Sequence, residues 1–421
     1  MDTLFSQKII ALSDQNTIIK VLYSALMLCV YAQKSPEEFQ LAMQPDKLEI
    51  KDKLDIPMFD LAGEMVLNKQ EYYDPLSAEV ITELARLVHR LKDDLVSVAF
   101  EIREFIQKNP KRLGFSTTPK VLRDVVCELL GYYHKQQSLR SYYDFNGRIG
   151  DLMGCEVTHD STATDIKLYV EETDPFFQQL GHMLLTLSHP HAKLTYTTRA
   201  ALSYGYVTEH NIKVDCVISQ PAFGSTMYFD QDDSQDTYLA IHSKTKRMSG
   251  ESMSIQLALH SLKKDGIAII VVPDGFLHKQ GYDSDVRSYL VRADLVDAII
   301  TLPNSIYPGM TLSTSLLILK KNRKRPGLVT LVDLSQKILN HKTIKEMISI
   351  FEKKVNGSYI PFTQAPLLDI KKNNNRLKPI DYLQLQTEYS TASLNVALKE
   401  LEGLKIDFDS AYHDWKKLIR N

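Results

Sequence analysis

Between residues 138 and 335, short apolar, β-branched runs alternate with stretches of helical periodicity, and no other pattern in the chain limits its fold so sharply. The runs are SLRSYYDF (138–145), DIKLYVEE (165–172), KLTYT (193–197), VDCVIS (214–219), GIAIIVVP (266–273), VDAIITLP (296–303), LSTSLLILKK (312–321) and GLVTLVDLS (327–335). A strand that is apolar along its whole length has both faces covered, as when helices pack on both sides of a parallel sheet. Strands separated by helix-length connections therefore predict an α/β protein with a doubly wound, mostly parallel, Rossmann-like sheet. The last two runs flank the charged turn NRKRPG and are expected to close as a hairpin on the sheet edge. That places the basic residues of 320–327 at an exposed tip, where such charges serve solubility or meet phosphates.

The flanks read differently. Residues 1–108 carry helical periodicity, clearest over 76–107, where Val80, Ile81, Leu84, Leu87, Val88 and Leu91 recur at threes and fours and predict an amphipathic helix or a pair of them. The stretch IIKVLYSALMLCVYA (18–32) is short for a bilayer span and is interrupted by Lys20, so it is expected as a buried helix of an N-terminal bundle, with no membrane association. Pro110 and Gly114 break the periodicity. The expected domains are thus an N-terminal helical domain at 1–108, the sheet domain at 109–335 and a C-terminal helical segment at 336–421. In that last segment Leu394, Leu398, Leu401 and Leu404 fall on one helical face that must dock on something.

Composition narrows the function only a little. Fifty Lys and Arg against 52 Asp and Glu give a net charge of -2, so any contact with nucleic acid has to come from a local patch. The four cysteines, Cys29, Cys127, Cys155 and Cys216, contain no C-x-x-C pair; they are read as unpaired buried residues of a cytoplasmic protein, with no metal site.

The most informative loop is VDCVISQPAFG, residues 214–224. Pro221 ends the strand and pushes Gln220 into an extended conformation, which sets Gln220, Ala222 and Phe223 just past the strand's carboxyl end. Open α/β sheets bind their ligands there.

Four segments in this order, LGFSTTPKVLRDVVCELL, YYDFNGRIGDLM, LYVEETDPFFQQLGHMLL and VDCVISQPAFG, resemble the S-adenosylmethionine-dependent adenine DNA methyltransferases, specifically the modification subunit of type I restriction systems. The likeness continues collinearly from DGIAIIVVPDGF through LPNSIYPG to LSTSLLILKK, covers about 109–335, and extends to NNNRLKPIDYL. It implies a methyltransferase domain, S-adenosylmethionine as cofactor, double-stranded DNA as substrate and a separate specificity subunit, engaged through the C-terminal helices. It also implies roles for residues. Thr118 and Pro119 match a loop that touches the cofactor; Asp144, Gly147 and Gly150 fall in the glycine-containing turn after the first strand; Glu172 matches the acid that holds the ribose hydroxyls. Gln220, Pro221, Ala222 and Phe223 match the family's Asn-Pro-Pro-Phe, whose amide accepts from the target amine and whose aromatic stacks on the flipped base.

The departures lie at those same points. A gap-free alignment puts Tyr143 where the family has Asp, Asp144 where it has Pro and Ile149 where it has Gly; a one-residue shift returns Asp144 to the acidic position. LTYTTRAALSYG carries Arg199 and no acid where the family contacts the cofactor's adenine. Gln220 and Ala222 replace Asn and Pro. Weakened or lost cofactor binding and catalysis is expected from these changes. A non-catalytic DNA-binding or assembly subunit of a restriction-modification or defence complex, and a methyltransferase acting on an RNA or protein amine, are the competing readings.

Overall fold

The computed structural model of the chain describes residues 14–44, 53, 76–155, 165–198, 202, 212–228, 240–241, 247–307, 312–353, 359–383 and 405. The chain divides into two compact units, Met1–Asp381 and Tyr382–Asn421, and the sheet lies in the first. Arg199 and the leucine face at 394–404 lie outside the described residues.

All eight sequence-derived strands form. They are β1 (Ser141–Asp144), β2 (Lys167–Glu172), β3 (Lys193–Thr198), β4 (Val214–Ser219), β7 (Leu262–Pro273), β8 (Val296–Thr301), β9 (Thr314–Lys320) and β10 (Leu328–Asp333); β5 (Thr226–Tyr228) and β6 (Arg247–Ser249) make a separate two-stranded ribbon. With β11 (Phe362–Pro366), the nine-stranded sheet runs in the order β11-β10-β8-β9-β7-β4-β1-β2-β3. Strands β3, β2, β1, β4 and β7 are parallel, as are β8 and β10, whereas β9 is antiparallel to both neighbours and β11 to β10. Burial follows this architecture. Every residue of β9, and all of β4 except half-buried Asp215, is buried, as a sheet covered on both faces requires.

Two expectations fail at the far side of the sheet. Strands β9 and β10 do not pair as a hairpin, because β8 lies between them. The connecting turn steps over the start of β8 and is fastened there by buried Arg323, whose guanidinium meets Asp294, Asp297 (3.4 Å) and the Leu328 carbonyl. It is therefore not a free hairpin tip, although Lys321, Asn322, Lys324 and Pro326 on it are exposed. The second failure is β11, an edge strand in a region read as helical; its FTQAP sequence ends in a proline, which an edge position tolerates.

Helices cover the sheet. Helices α5 (Lys120–His134) and α9 (His341–Phe351) share a core with it through Leu122, Val126, Ile218, Ile269 and Met347. Helix α6 (Pro175–Ser188) joins the sheet to the N-terminal helices, since Met183, Leu184 and Leu187 pack in one cluster with Ile18, Leu26 and Ile102. Those helices are α1 (Gln15–Lys34), α2 (Pro36–Ala42), α3 (Ala78–Leu91) and α4 (Leu95–Lys108). The pair expected over 76–107 forms, divided by a single turn at Lys92–Asp94, where Asp94 caps α4 by accepting from Ser97 N at 3.2 Å. Helix α1 is 20 residues long and apolar enough to cross a membrane by composition, yet Val21 through Ala32 are buried against the other helices. Helices α7 (Gly250–Ser261), α8 (Tyr282–Arg292) and the short α10 (Leu367–Lys372) complete the first unit.

The cysteine reading is half corrected. Cys29 and Cys216 are free and buried, but Cys127 on α5 and Cys155 are joined in a disulfide, with Cα atoms 5.4 Å apart. Spacing along the chain gave no sign of this pair, which only the packing of α5 against the loop after β1 brings together.

Candidate active site

Strands β1 and β4 pair in parallel, Tyr142 with Cys216 and Tyr143 with Val217, so Asp144 and Ser219 end side by side. Past them opens a cleft of about 430 Å³. Its walls are the loop before α5, the turn after β1, the end of β2, the loop after β4, and Tyr307. Of the residues singled out from sequence, Thr118, Asp144, Gly147, Glu172, Gln220, Pro221, Ala222 and Phe223 all line it. Pro119 and Gly150 do not. Pro119 is the N-cap of α5 and the helix has no side-chain cap, so neither Ser116 nor Thr117 caps it. Gly150 (φ +71°) turns away from the cleft, with the Leu185 side chain 2.7 Å from where a Cβ would stand.

The turn after β1 brings Asp144, and not Tyr143, to the cleft. Side chains alternate across a strand, and the Tyr143 ring goes to the opposite face, where its hydroxyl donates to Glu171 Oε2 at 2.9 Å. Asp144 faces the cleft, so the geometry follows the one-residue shift and not the gap-free alignment. Ile149 is likewise no cleft residue, being buried in the cluster of the N-terminal helices. Gly147 is required for a different reason: a Cβ there would stand 2.1 Å from Val170 Cγ1, so the turn lies against β2 with no room for a side chain.

The cleft is rich in carboxylates. Asp144, 1% exposed, accepts from Ser219 Oγ at 2.7 Å and from Asn146 N at 3.0 Å. Burial pushes its carboxyl up to about 7, and neighbouring Glu172 and Asp151 push in the same direction. Glu172 accepts through Oε1 from Thr173 N and Oγ1 and from Asp174 N, and through Oε2 from Arg148 N at 2.8 Å. Asp151 stands behind the wall. One of its oxygens pairs with buried Arg103 of α4 at 3.3 Å and the other accepts from Thr118 N at 3.0 Å, which ties the N-terminal helices to the cleft's edge.

The loop after β4 is held from two sides. Thr118 Oγ1 donates to Gln220 Oε1 at 3.3 Å, and Asn146 Nδ2 donates to the Gln220 carbonyl at 2.5 Å. Gly224 N donates to Glu251 Oε1 at 2.7 Å. Phe223 is half-buried, with Tyr307 edge-on at 6.2 Å between centroids. The buried Tyr307 hydroxyl has no hydrogen-bond partner among the described residues. Three residues here carried no sequence signal: Asn146, Arg148 and Asp151. Nothing in F-N-G-R-I-G-D announces that its Asn reaches 74 residues along the chain to Gln220.

A desolvated carboxylate beside two others stabilises a cation brought to it, and Glu172 Oε2, with one donor, keeps acceptor capacity for a hydroxyl. These residues fit a cationic, ribose-bearing group. Arg148 is the exception on that wall. Its guanidinium stacks at 4.0 Å over the Phe177 ring and donates to the Ser116 carbonyl at 3.1 Å, putting a positive charge on the same cleft.

This doubly wound, mostly parallel fold is similar to that of a protein from Listeria monocytogenes assigned to the class I S-adenosylmethionine-dependent methyltransferases, with a TM-score of 0.52 at 17% identity, covering 80% of this chain and 98% of that one. The N-6 DNA Methylase family matches residues 91–391, and the chain belongs to that family. It is 33% identical over 180 residues to the type I restriction enzyme MpnII methylase subunit of Mycoplasma pneumoniae, an alignment covering 36% of this chain and 33% of that protein. Against the HindI methylase subunit of Haemophilus influenzae it is 21% identical over 254 residues, covering 59% and 56%. The alignments thus span between a third and little more than half of these relatives' lengths. Among solved structures, the methyltransferase subunit of a type I restriction-modification system from Streptococcus thermophilus superposes with a TM-score of 0.63 at 15% identity, covering 88% of this chain and 94% of that one.

Proposed function

We propose that the chain is an adenine-N6 DNA methyltransferase of the type I modification-subunit kind, with a cofactor grip and an acceptor loop weaker than the family's. The observation that carries this is the meeting of Asp144, Glu172 and the Gln220–Phe223 loop in one cleft at the strand ends. Bound there, S-adenosylmethionine supplies an electrophilic methyl group. Asp144 would neutralise the cofactor's cationic end, and Glu172 would accept from a ribose hydroxyl. Gln220 would accept a hydrogen bond from the exocyclic amine of the target adenine, aligning its lone pair, and Phe223 would stack on the base once it leaves the duplex.

The weakening has named sources. Gln220 extends one methylene beyond the family's Asn, and its amide oxygen already accepts from Thr118. A misplacement of about 1 Å can cost about 100-fold in rate. Arg148 adds a repelling charge near the cationic cofactor, and residues 194–205 offer no acid for its adenine. Double-stranded DNA is the substrate of this reading, and a specificity subunit meeting the C-terminal helices is the partner.

The test is methyl transfer to duplex DNA that carries every short sequence context, read as N6-methyladenine by mass spectrometry. Slow transfer is expected, lost in Phe223→Ala and raised by the pair Gln220→Asn and Ala222→Pro. No product from either protein, with the cofactor bound, would favour the non-catalytic assembly reading.

A further inference from the structure

The turn at 320–327, read from sequence as a basic tip, instead walls a recess of about 320 Å³ at the opposite end of the sheet from the cleft. Strand β9 runs antiparallel to β7, so Thr314 lies beside Pro273 at the strand's carboxyl end and Lys320 beside Ile267 near its start. Six residue steps separate them, about 20 Å at about 3.3 Å per residue. The recess is a different place from the candidate active site.

Its lining has an unusual charge arrangement. Lys320, 3% exposed, lines the recess; its ammonium lies 5.6 Å from the Tyr133 ring centroid and makes no hydrogen bond or ion pair among the described residues. Asp297 attracts the ammonium but offsets its burial only in part. Asp297 accepts from Tyr133 Oη at 2.6 Å through one oxygen and from Arg323 through the other. Burial also pushes the Lys320 ammonium down from the ordinary lysine range, the pull of Asp297 being too weak to offset it. Four lining cations, Lys320, Arg323, Lys324 and Arg325, face two lining carboxylates, Asp297 and Glu352, and Arg323 is also paired with Asp294 behind the wall, so one positive charge is unmatched. A phosphate monoester carries about -1.5 to -2 at neutral pH. Tyr132 and Phe351, rings 5.5 Å apart, form an apolar wall beside these charges.

We infer that this recess is a second ligand site, taking a phosphate group of a small oligophosphate or nucleotide, with Lys320 as the buried counter-ion and Lys324 and Arg325 at the entrance. Its volume is at the lower end of the range for small-molecule sites, about 300–1,000 Å³. A duplex backbone phosphate is a single-charge diester on a broad surface. It would meet the entrance cations without reaching the lysine inside.

The full-length protein at low ionic strength, titrated calorimetrically with pyrophosphate and with ATP in the absence of metal, tests this. Saturable binding is expected, weakened at least about 10-fold by Lys320→Met and about three-fold or more by Lys324→Ala with Arg325→Ala, and not displaced by duplex DNA. Equal affinity for the two anions assigns the site to phosphate alone; tighter ATP binding adds the aromatic wall. Either supports it. No saturable heat up to about 10 mM of either anion, wild-type affinity in the folded Lys320→Met protein, or displacement by duplex DNA would overturn it. Should Lys320→Met fail to fold by circular dichroism, the entrance pair decides, since those side chains lie on the turn and their loss leaves the core intact: unchanged affinity there refutes the site.

Discussion

Replacing Asp144 by Asn should stabilise the protein above neutral pH while removing its cofactor grip. Asp144 is buried, and its carboxyl stands at about 7 against an ordinary 3.8. Between those values the folded chain holds a proton that the unfolded chain has released, so stability falls as pH rises through this window and is flat above it. At 1.36 kcal/mol for each tenfold change in proton affinity, the full cost is about 4 kcal/mol at pH 8. Asn carries no charge in either state, and its oxygen can still accept from Ser219 and Asn146. Urea unfolding of both proteins between pH 4 and pH 8.5 should therefore show Asp144→Asn gaining from near zero to about 4 kcal/mol, with the gain levelling above about pH 7. Cofactor affinity should move the other way, since a cationic ligand needs the ionised carboxylate: tighter at pH 8 than at pH 6 in the wild type, and at least about 10-fold weaker in the variant. A pH-independent difference, or a variant less stable than wild type at pH 8, would refute the reasoning.

Other consequences are as direct. Asp151→Asn strips the buried Arg103 of its charge partner and should cost about 3–5 kcal/mol in urea unfolding, with part recovered when Arg103→Met is added. A Cβ at residue 147 collides with Val170, so Gly147→Ala should lose about 1–3 kcal/mol, relieved by Val170→Ala; an unchanged urea midpoint would show that the turn can move aside. Thiol titration in denaturant without reductant should count two thiols, Cys29 and Cys216, and four after reduction. Cys127→Ser should cost about 2–4 kcal/mol under oxidising conditions only.

The strands and the Q-P-A-F loop were legible in the sequence because burial on two faces writes itself as continuous apolar runs, and a proline after such a run marks its end. Direction and order were not. LSTSLLILKK reads the same whether β9 lies at the edge or slots antiparallel between β7 and β8, and the structure alone shows where the turn is fastened, by Arg323 on Asp294 and Asp297 and by Gly327 N on Asp294. Alternation within β1 separates the two alignments that the sequence left open. One residue of register exchanges Tyr143 for Asp144 at the cleft, so the gap-free alignment named Tyr143 and Ile149 as defects although both side chains face elsewhere. Repair of the acceptor loop consequently does not need changes at those two positions. Asn146 and Arg148 stayed hidden because their partners, Gln220 and Glu172, are distant in sequence and adjacent only once β1, β2 and β4 are aligned.

The most direct measurement is a calorimetric titration of the whole protein with S-adenosylmethionine, repeated on Asp144→Ala and Glu172→Ala. A cleft that holds the cofactor through these two acids, against Arg148 and without an acid for the adenine, predicts saturable binding with a dissociation constant no tighter than about 0.1 mM, lost in both variants. A micromolar constant would contradict the weakened grip, and affinity unchanged in the variants would place the cofactor somewhere other than this cleft.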